Sequence, residues 1–502
     1  MAILMCGCYT YIQLMEANFN SILALVFFIV FDIIGRIFAL GYIPNNRKPG
    51  EATAWLMAIF FLPFFGWIIF LFFGNSKLSQ KRRNKQLAIN ELVYSKTHNQ
   101  SAIETENNPP DWLLSLATLN SKLGALPMLG GNHIDSTINY KDSIKQMTKA
   151  INNAKTYVHL EFYIMSKDST TQELLQSLAD AKKRGVTVRV LFDHVGSLQY
   201  PGYKKMINFF KNNEINFHRM LPILPLQGKF QRPDLRNHRK LLVIDGNIGF
   251  MGSQNLIDST YNKKKNIKKG LHWLDIMLKL KGPIVHELDT VFIGDWYAES
   301  DELLTQYVKH EKDSLTDYGD NDCQLVPSGP GFEAENNLKF FVSLMYNAKN
   351  KIILTSPYFV PDESMLTAVT TAAQRGLKVE LYVSEVGDQM MVYHAQRSYY
   401  EALLRAGVKI YLYKSPYVLH SKHFTVDDDV AVVGSSNMDM RSFNLNMEIS
   451  LLVYSKDFVK TMRRIEKQYK DDSLEFTLDV WMKRPRHEKF VDNALRLTSA
   501  LQ

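Results

Sequence analysis

The chain has 502 residues, 46% of them apolar and 12% aromatic, with a formal net charge of +8 and three cysteines. That length exceeds one ordinary core, and the composition is not that of a disordered chain, so two or three folded units are expected. Cys6, Cys8 and Cys323 supply neither a disulfide framework nor a zinc-spaced cluster, which points to a reducing compartment with no structural zinc, while the positive balance calls for a polyanionic partner, either nucleic acid or an anionic membrane surface.

Two apolar runs open the chain: SILALVFFIVFDIIGRIFALGYI over Ser21 to Ile43, and ATAWLMAIFFLPFFGWIIFLFF over residues 52–73, the second without a charge. Each is long enough to cross about 30 Å of hydrocarbon as a helix, so residues 1–76 predict a transmembrane helical hairpin. Asp32 and Arg36 lie one turn apart on one face of the first span and can pair there. No positive segment precedes the first run and a second run follows it, which argues against a cleaved signal. Arg47 and Lys48 stand between the spans, whereas Lys77, Lys81, Arg82, Arg83 and Lys85 follow the second, so the positive-inside tendency puts the remaining chain on the cytoplasmic side of a cell membrane.

Residues 77–111 read as a basic juxtamembrane segment and linker, with a polar stretch from Ser95 to a Pro-Pro end. Strands and helices then alternate, and the order repeats. TYVHLEFYI, TQELLQSLADAKKRG and VTVRVLFDHVG in the first half match KIILTSPYFV, SMLTAVTTAAQRG and LKVELYVSEVG in the second. A strand-helix-strand order predicts parallel sheets covered by helices, and the repeat predicts a pseudo-twofold pair of α/β domains over 112–312 and 313–484. Residues 485–502 place Phe490, Val491, Ala494, Leu495 and Leu501 toward one face of an amphipathic tail, read either as an interfacial helix or as one packed on the domain.

Each half closes on the same pattern, HRKLLVIDGNIGFMGSQN from His238 and HSKHFTVDDDVAVVGSSN from His420. His238 and His420, Lys240 and Lys422, Asp245 and Asp427, Gly252 and Gly434, Ser253 and Ser435, and Asn255 and Asn437 are each 182 residues apart. Six such positions coincide by chance in about 10⁻⁵ of chains this long. A purely structural repeat would keep apolar positions and glycines, whereas this one keeps histidines and lysines. Residues i and i+2 of a strand share a face, so each His and Lys can point together into one pocket. Two imidazoles and two ammonium groups around one point suit a phosphodiester. Lys240 and Lys422, with main-chain amides and Ser253, Asn255, Ser435 and Asn437, can hold the non-bridging oxygens, while one imidazole attacks phosphorus and the other protonates the leaving alkoxide. The lysines supply the positive charge, so no metal and no cofactor is expected. A nucleophilic imidazole needs its other nitrogen held by an acceptor, for which Asp275 and Glu448 are the candidates. Asp245 and Asp427 are expected to fix the motif loops by hydrogen bonds rather than touch substrate.

At these residues the sequence resembles the phospholipase D superfamily, whose duplicated HxKxxxxD and GSxN motifs both copies match. With the N-terminal runs, HLEFYI, RNHRKLLVIDG and NMDMRSFNLNMEI, it resembles bacterial cardiolipin synthase in particular. The resemblance implies two phospholipase D-like α/β domains behind a membrane anchor, with His238, Lys240, Asp245, His420, Lys422 and Asp427 as the catalytic set. It also implies a phosphatidyl-histidine intermediate, placing the nucleophile at His238 and the acid and base at His420. The implied reaction joins two phosphatidylglycerols into cardiolipin and releases glycerol, and the implied partners are phosphatidylglycerol and anionic membrane lipids rather than nucleic acid. A phospholipase D hydrolase would use the same residues and pass the phosphatidyl group to water. A nuclease would have no need of the apolar runs, and a non-enzymatic lipid-binding scaffold would let one motif decay. The chain departs from many members by having Ser253 after Gly252 and a lysine-rich loop, Lys263, Lys264, Lys265, Lys268 and Lys269, which is read as docking on anionic headgroups or as a solvated loop.

Overall fold

The structure is a computed structural model and describes residues 2–45, 47–74, 78–97, 103–105, 107–124, 126–224, 231–307, 318–332 and 335–499. Lys77, Leu501, part of the 95–110 stretch and the expected boundary at 312–313 lie outside the described residues. The chain forms two compact units, 1–76 and 77–502.

In the first unit, helix α1 (Ala2–Tyr42) contains Ile22–Tyr42, the one helix among the described residues that is long and apolar enough to cross a membrane. Asp32 and Arg36 pair within it at 2.7 Å. The second apolar run is not the continuous helix expected from its composition. It forms α2 (Pro49–Phe61) and α3 (Pro63–Phe73), broken at Leu62, whose φ of −130° and ψ of 66° are not helical. Pro63 is the cause: it brings no N–H to the ladder and its ring obstructs the preceding turn. The two short helices then approach closely at Gly66, where a Cβ would stand 2.5 Å from the carbonyl oxygen of Ala58.

The basic run after the apolar segments is ordered. It enters helix α4 (Gln80–Thr97), where Arg82 pairs with Glu299 at 2.6 Å and the Lys85 ammonium donates to the carbonyls of Tyr297 and Ala298, at the C-terminal end of the helix Ile284–Ser300. Cations are favoured there by the exposed carbonyls of a helix end.

The repeat is built as two sheets with one strand order. In the first half the order runs Asn216–Met220, Thr187–Asp193, Tyr157–Phe162, Lys240–Ile244, Ile248–Gly252, Met277–Lys281, Met128–Thr137. In the second it runs Lys409–Tyr413, Lys378–Ser384, Lys351–Thr355, His423–Val426, Val430–Gly434, Asn446–Tyr454, Asn321–Ser328. Met128–Thr137 also pairs with Asn321–Ser328, which joins the sheets. The expected all-parallel sheets are corrected to mixed ones: the first three strands of each half are parallel, and the motif strand runs against them. A parallel strand needs a crossover of a dozen or more residues, usually helical, whereas the second motif strand is reached from Tyr413 through a short loop and the strand Tyr417–Leu419.

Helices cover the outer faces. Tyr140–Asn152, Gln172–Lys183 and Tyr203–Asn212 close one apolar core over the first sheet, and Asn336–Asn347, Glu363–Gln374 and Tyr400–Ala406 close another over the second. A third core is shared: Leu241, Val243 and Leu278 of the first sheet belong to one cluster with Ala431, Val433 and Ile449 of the second, together with the helices Ile284–Ser300 and Lys456–Asp471. The tail helix Arg486–Arg496 packs on Met390–Arg397, where buried Asp492 accepts from His394 at 2.8 Å, while Phe490 and Leu497 stay exposed.

Candidate active site

The two halves exchange segments at the site. The short strand Arg236–Asn237, just before His238, pairs in parallel with Asn446–Met447, just before Glu448. The strand Tyr417–Leu419, just before His420, pairs with His272–Leu274, just before Asp275. The main-chain N–H of His238 accordingly donates to Met447 O at 2.8 Å, and that of His420 to Leu274 O at 2.7 Å.

This crossing sets the side-chain partners. Nδ1 of His238 lies 2.9 Å from both carboxylate oxygens of Glu448, and Nδ1 of His420 lies 2.7 Å from Oδ1 of Asp275. Each histidine is therefore held through Nδ1 by the carboxylate of the opposite half. The carboxylates were legible as residues, since each follows its own motif. The exchange was not, because sequence order suggests pairing within a half.

Ser253 and Ser435 have partners other than a phosphate. Their hydroxyls donate to Asp275 at 2.6 Å and to Glu448 at 2.5 Å, steadying the carboxylates that steady the imidazoles. Asn255 is held in its loop, accepting from Ile164 N at 3.2 Å and donating to the Tyr261 hydroxyl at 2.8 Å. Asn437 is buried beside the second motif strand with its Oδ1 unpartnered.

Lys240 and Lys422 are almost wholly buried, and each ammonium donates to the carbonyl of its own motif histidine, at 2.5 and 2.6 Å. Burial pushes Lys240 down to about 7 and Lys422 to about 8, against the opposing pull of Glu448 and Asp275. Burial also lowers both imidazoles. His238 falls well below its ordinary value, with Lys240, Lys422 and His420 adding to the effect. His420 is drawn back up by Asp275. The carboxylates diverge: burial raises Glu448 to about 7, whereas at Asp275 the effect of burial is outweighed by the His420 and Lys422 charges and the bonds from His420 and Ser253, leaving it at about 2. Each histidine also lies near enough to the other half's lysine to feel its charge.

Asp245 and Asp427 stand elsewhere. Each follows the far end of its motif strand, about 16 Å from the lysine at roughly 3.3 Å per residue, which excludes contact with a phosphorus held at the histidines. Asp245 accepts from the amides of Lys155, Thr156 and Tyr157 and from the Thr156 hydroxyl, and Asp427 from the amides of Lys349, Asn350 and Lys351. Both have positive φ, 54° and 49°, which aspartate tolerates better than most side chains. They tie the motif hairpin to the start of the neighbouring strand, so of the six motif residues four face the cleft.

Two aromatic neighbours went unread in the sequence. The Tyr163 ring stands edge-on to His238 at 4.8 Å with the Lys240 ammonium 5.3 Å from its centre, and Tyr261 lies 6.5 Å from His420. A tyrosine just after a strand, as Tyr163 is, or in a turn, as Tyr261 is, carries no spacing signal that marks it as a site residue.

Two histidine-lysine pairs on joined sheets, each histidine backed by a carboxylate, define a phospholipase D-type site for exchange at a phosphodiester. The comparisons with known proteins agree. The family described as "Cardiolipin synthase, PLD-like domain" matches residues 147–296 and 341–470, and the one described as "Phospholipase_D-nuclease N-terminal" matches 24–75. The chain is 32% identical to a cardiolipin synthase of Geobacillus kaustophilus, covering 91% of this chain and 90% of that one. It is 33% identical to cardiolipin synthase A of Wigglesworthia glossinidia brevipalpis, over 94% and 98%, and 31% identical to the major cardiolipin synthase of Bacillus subtilis, over 96% and 100%. The fold is also that of a phosphatidylserine synthase from Haemophilus influenzae, with a TM-score of 0.58 at 15% identity over 77% of this chain and all of that one. The chain belongs to the cardiolipin synthase family, phosphatidyltransferases built on phospholipase D-like domains.

Proposed function

We propose that this protein is a membrane-anchored cardiolipin synthase that transfers the phosphatidyl group of one phosphatidylglycerol to a second, giving cardiolipin and glycerol. The crossed pairs, His238 with Glu448 and His420 with Asp275, carry the reading, because they turn two distant motifs into one acid-base unit. Nε2 of His238 attacks phosphorus, the P–O bond to glycerol breaks, and His420 gives its proton to the departing oxygen. Neutral His420 then takes the proton of a primary hydroxyl on the second phosphatidylglycerol. That oxygen forms the new P–O bond, the P–N bond breaks, and His238 is restored. Lys240 and Lys422 hold the charge of the non-bridging oxygens. Asp245 and Asp427 support the motif loops, Ser253 and Ser435 the carboxylates.

The roles are divided in that direction by electrostatics. An Asp275 carboxylate that stays ionised favours a protonated His420, the acid. Burial and the neighbouring lysines lower His238 well below its ordinary value, which favours its neutral form. The catalytic domains, 112–312 and 313–484, lie on the cytoplasmic side of the cell membrane, with both apolar runs (21–43 and 52–73) in the bilayer and the basic run after them on the inner face. Anionic lipids are the partners, and the chemistry needs no nucleic acid, metal or cofactor.

The test uses detergent-purified full chain given phosphatidylglycerol alone with a chelator present. Cardiolipin with equimolar glycerol, lost in both His238→Ala and His420→Ala, supports the reading. Phosphatidic acid as the main product makes the enzyme a hydrolase, and unchanged lipid overturns the substrate.

A further inference from the structure

The two halves part company next to the cleft, after the strands Thr187–Asp193 and Lys378–Ser384. Strand register aligns Phe192-Asp193-His194-Val195-Gly196-Ser197 with Val383-Ser384-Glu385-Val386-Gly387-Asp388, since Phe162 pairs with both Phe192 and Lys240 while Thr355 pairs with Tyr382 and His423. The glycines agree in function: a Cβ on Gly196 would stand 2.5 Å from the Tyr163 ring, and one on Gly387 the same distance from Tyr393. The next residue does not agree. Ser197 is fully buried, accepts from Met165 N at 3.0 Å and donates to Tyr163 O, and thereby seals its half. Asp388 is exposed instead, at the mouth of a small cavity of about 10 Å³, room for one water, walled by Pro357, Tyr358, Val386, Gln389 and Val418.

That pocket belongs to the His420 side of the site. Val418 is two residues before His420, the hydroxyl of Ser384 on the same wall donates to Leu419 O at 3.3 Å, and Asp388 is near enough to Lys422 to act on its charge. Behind Pro357 and Tyr358 in sequence, the Ser356 hydroxyl donates to Tyr358 O and accepts from Met438 N, directly after Asn437. The Tyr358 hydroxyl lies 2.9 and 3.0 Å from the two Asp388 oxygens and accepts from the Gln389 amide at 3.0 Å. The carboxylate is thus oriented by the Tyr358 phenol and stays exposed, with lone pairs left for a further donor.

We propose that the exposed rim of this pocket is the glycerol subsite of the reaction, with Asp388 accepting hydrogen bonds from a vicinal diol so that its primary hydroxyl meets His420. The proposal rests on the reading above and deepens it. By microscopic reversibility the departing glycerol and the attacking headgroup occupy the same place, beside the group that protonates one and deprotonates the other. A carboxylate there discriminates for a polyol and against an alkanol of the same length, because only the polyol satisfies it. The diol can arrive on a lipid or as free glycerol.

The test separates the acceptor from the donor by using phosphatidyl-p-nitrophenol, whose leaving group is not a polyol. In the productive cycle the P–O bond to p-nitrophenolate breaks as the P–N bond to His238 forms. Water then yields phosphatidic acid, and added glycerol yields phosphatidylglycerol, its proton passing to His420. The ratio of the two products at each glycerol concentration comes from the same active molecules, so it is insensitive to the fraction folded. Asp388→Ala and Asp388→Ser, the latter restoring the first-half residue, are expected to raise the glycerol concentration needed for equal products at least tenfold, and Tyr358→Phe by a smaller factor. With 1-propanol in place of glycerol the ratio is expected to be the same in all four proteins, and with phosphatidylglycerol as acceptor the cardiolipin share is expected to fall as the glycerol product does. An unchanged glycerol ratio in Asp388→Ala, or an equal change with 1-propanol, overturns the subsite while leaving the synthase reading intact. A wild type that makes cardiolipin from no donor overturns both.

Discussion

The two halves of the catalytic unit repeat one frame down to single hydrogen bonds. In each, the motif aspartate gathers the amides of the first strand, the lysine returns to its own histidine's carbonyl, the motif serine supports a carboxylate, and the histidine's N–H crosses to the other half. They differ in what surrounds that frame. Arg239 is buried against Asp295 and its Nε donates to Glu448 O at 3.0 Å, while its counterpart Ser421 bonds only the Tyr469 hydroxyl. Tyr163 abuts His238, and the register puts Pro357 at the matching place. The duplicated part makes the site possible, and the unduplicated part divides the labour within it.

The sharpest way to break that division is to look for the covalent adduct. With phosphatidyl-p-nitrophenol, His420→Ala is expected to trap a phosphatidyl group on His238, visible by intact-protein mass spectrometry, with steady turnover down by about 10³-fold or more. An adduct on His420 in the His238→Ala protein would reverse the assignment. A smaller effect, about 100-fold on kcat with little on KM, is expected for the carboxylates. The crossing makes this informative: Glu448→Gln is expected to slow adduct formation most, and Asp275→Asn its discharge. If each variant instead impairs the histidine of its own half, the exchange of segments is wrong.

The repeat, the four cleft-facing residues and both carboxylates were readable because histidines and lysines kept at a fixed offset have no use in an apolar core. What the sequence did not disclose depends on contacts between distant segments. Short strands such as Arg236–Asn237 and Tyr417–Leu419 are set by partners more than 140 positions away and carry no period of their own. The direction of the motif strands depended on connection length, and the break in the second apolar run on one proline whose effect the overall hydropathy masked. Asp388 went unnoticed because its significance is a difference between halves, whereas the motifs were found by their agreement.

The frame and the chemistry are further separable at the motif aspartates. Replacing Asp245 or Asp427 by alanine unpairs three main-chain N–H groups near the surface and is expected to cost about 2–3 kcal/mol, a fall of several degrees in thermal midpoint, with kcat per folded molecule changed less than threefold. At Asp245 burial raises the carboxyl, but the Thr156 hydroxyl and three amides outweigh it and hold the group below its ordinary value. Its stabilisation is therefore present above the ordinary carboxylate range and lost as pH falls through the lowered value, so the gap between wild type and Asp245→Ala is expected to narrow in acid.

The cleft lysines are expected to behave in the opposite sense, with the smallest shifts. A buried ammonium costs stability unless it is well partnered, and the partners here are a carbonyl and a carboxylate shared with an imidazole. Because burial lowers Lys240 to about 7 and Lys422 to about 8, the folded state binds fewer protons than the unfolded one between those values and about 10.4. The cost is complete below the lowered value and fades as pH rises toward the ordinary one. Lys422→Met, which leaves His420 held by Asp275, is accordingly expected to melt a few degrees above wild type at pH 6 and closer to it at pH 9, although it is inactive. A gap independent of pH would mean that the ammonium stays charged throughout and that its carboxylate neighbours fully offset its burial. Inorganic phosphate supplies the complementary arm. It offers the lysines an oxyanion, so it is expected to raise the midpoint of wild type more than that of Lys422→Met. The same charge that burdens the resting fold would then be the one that holds the phosphodiester.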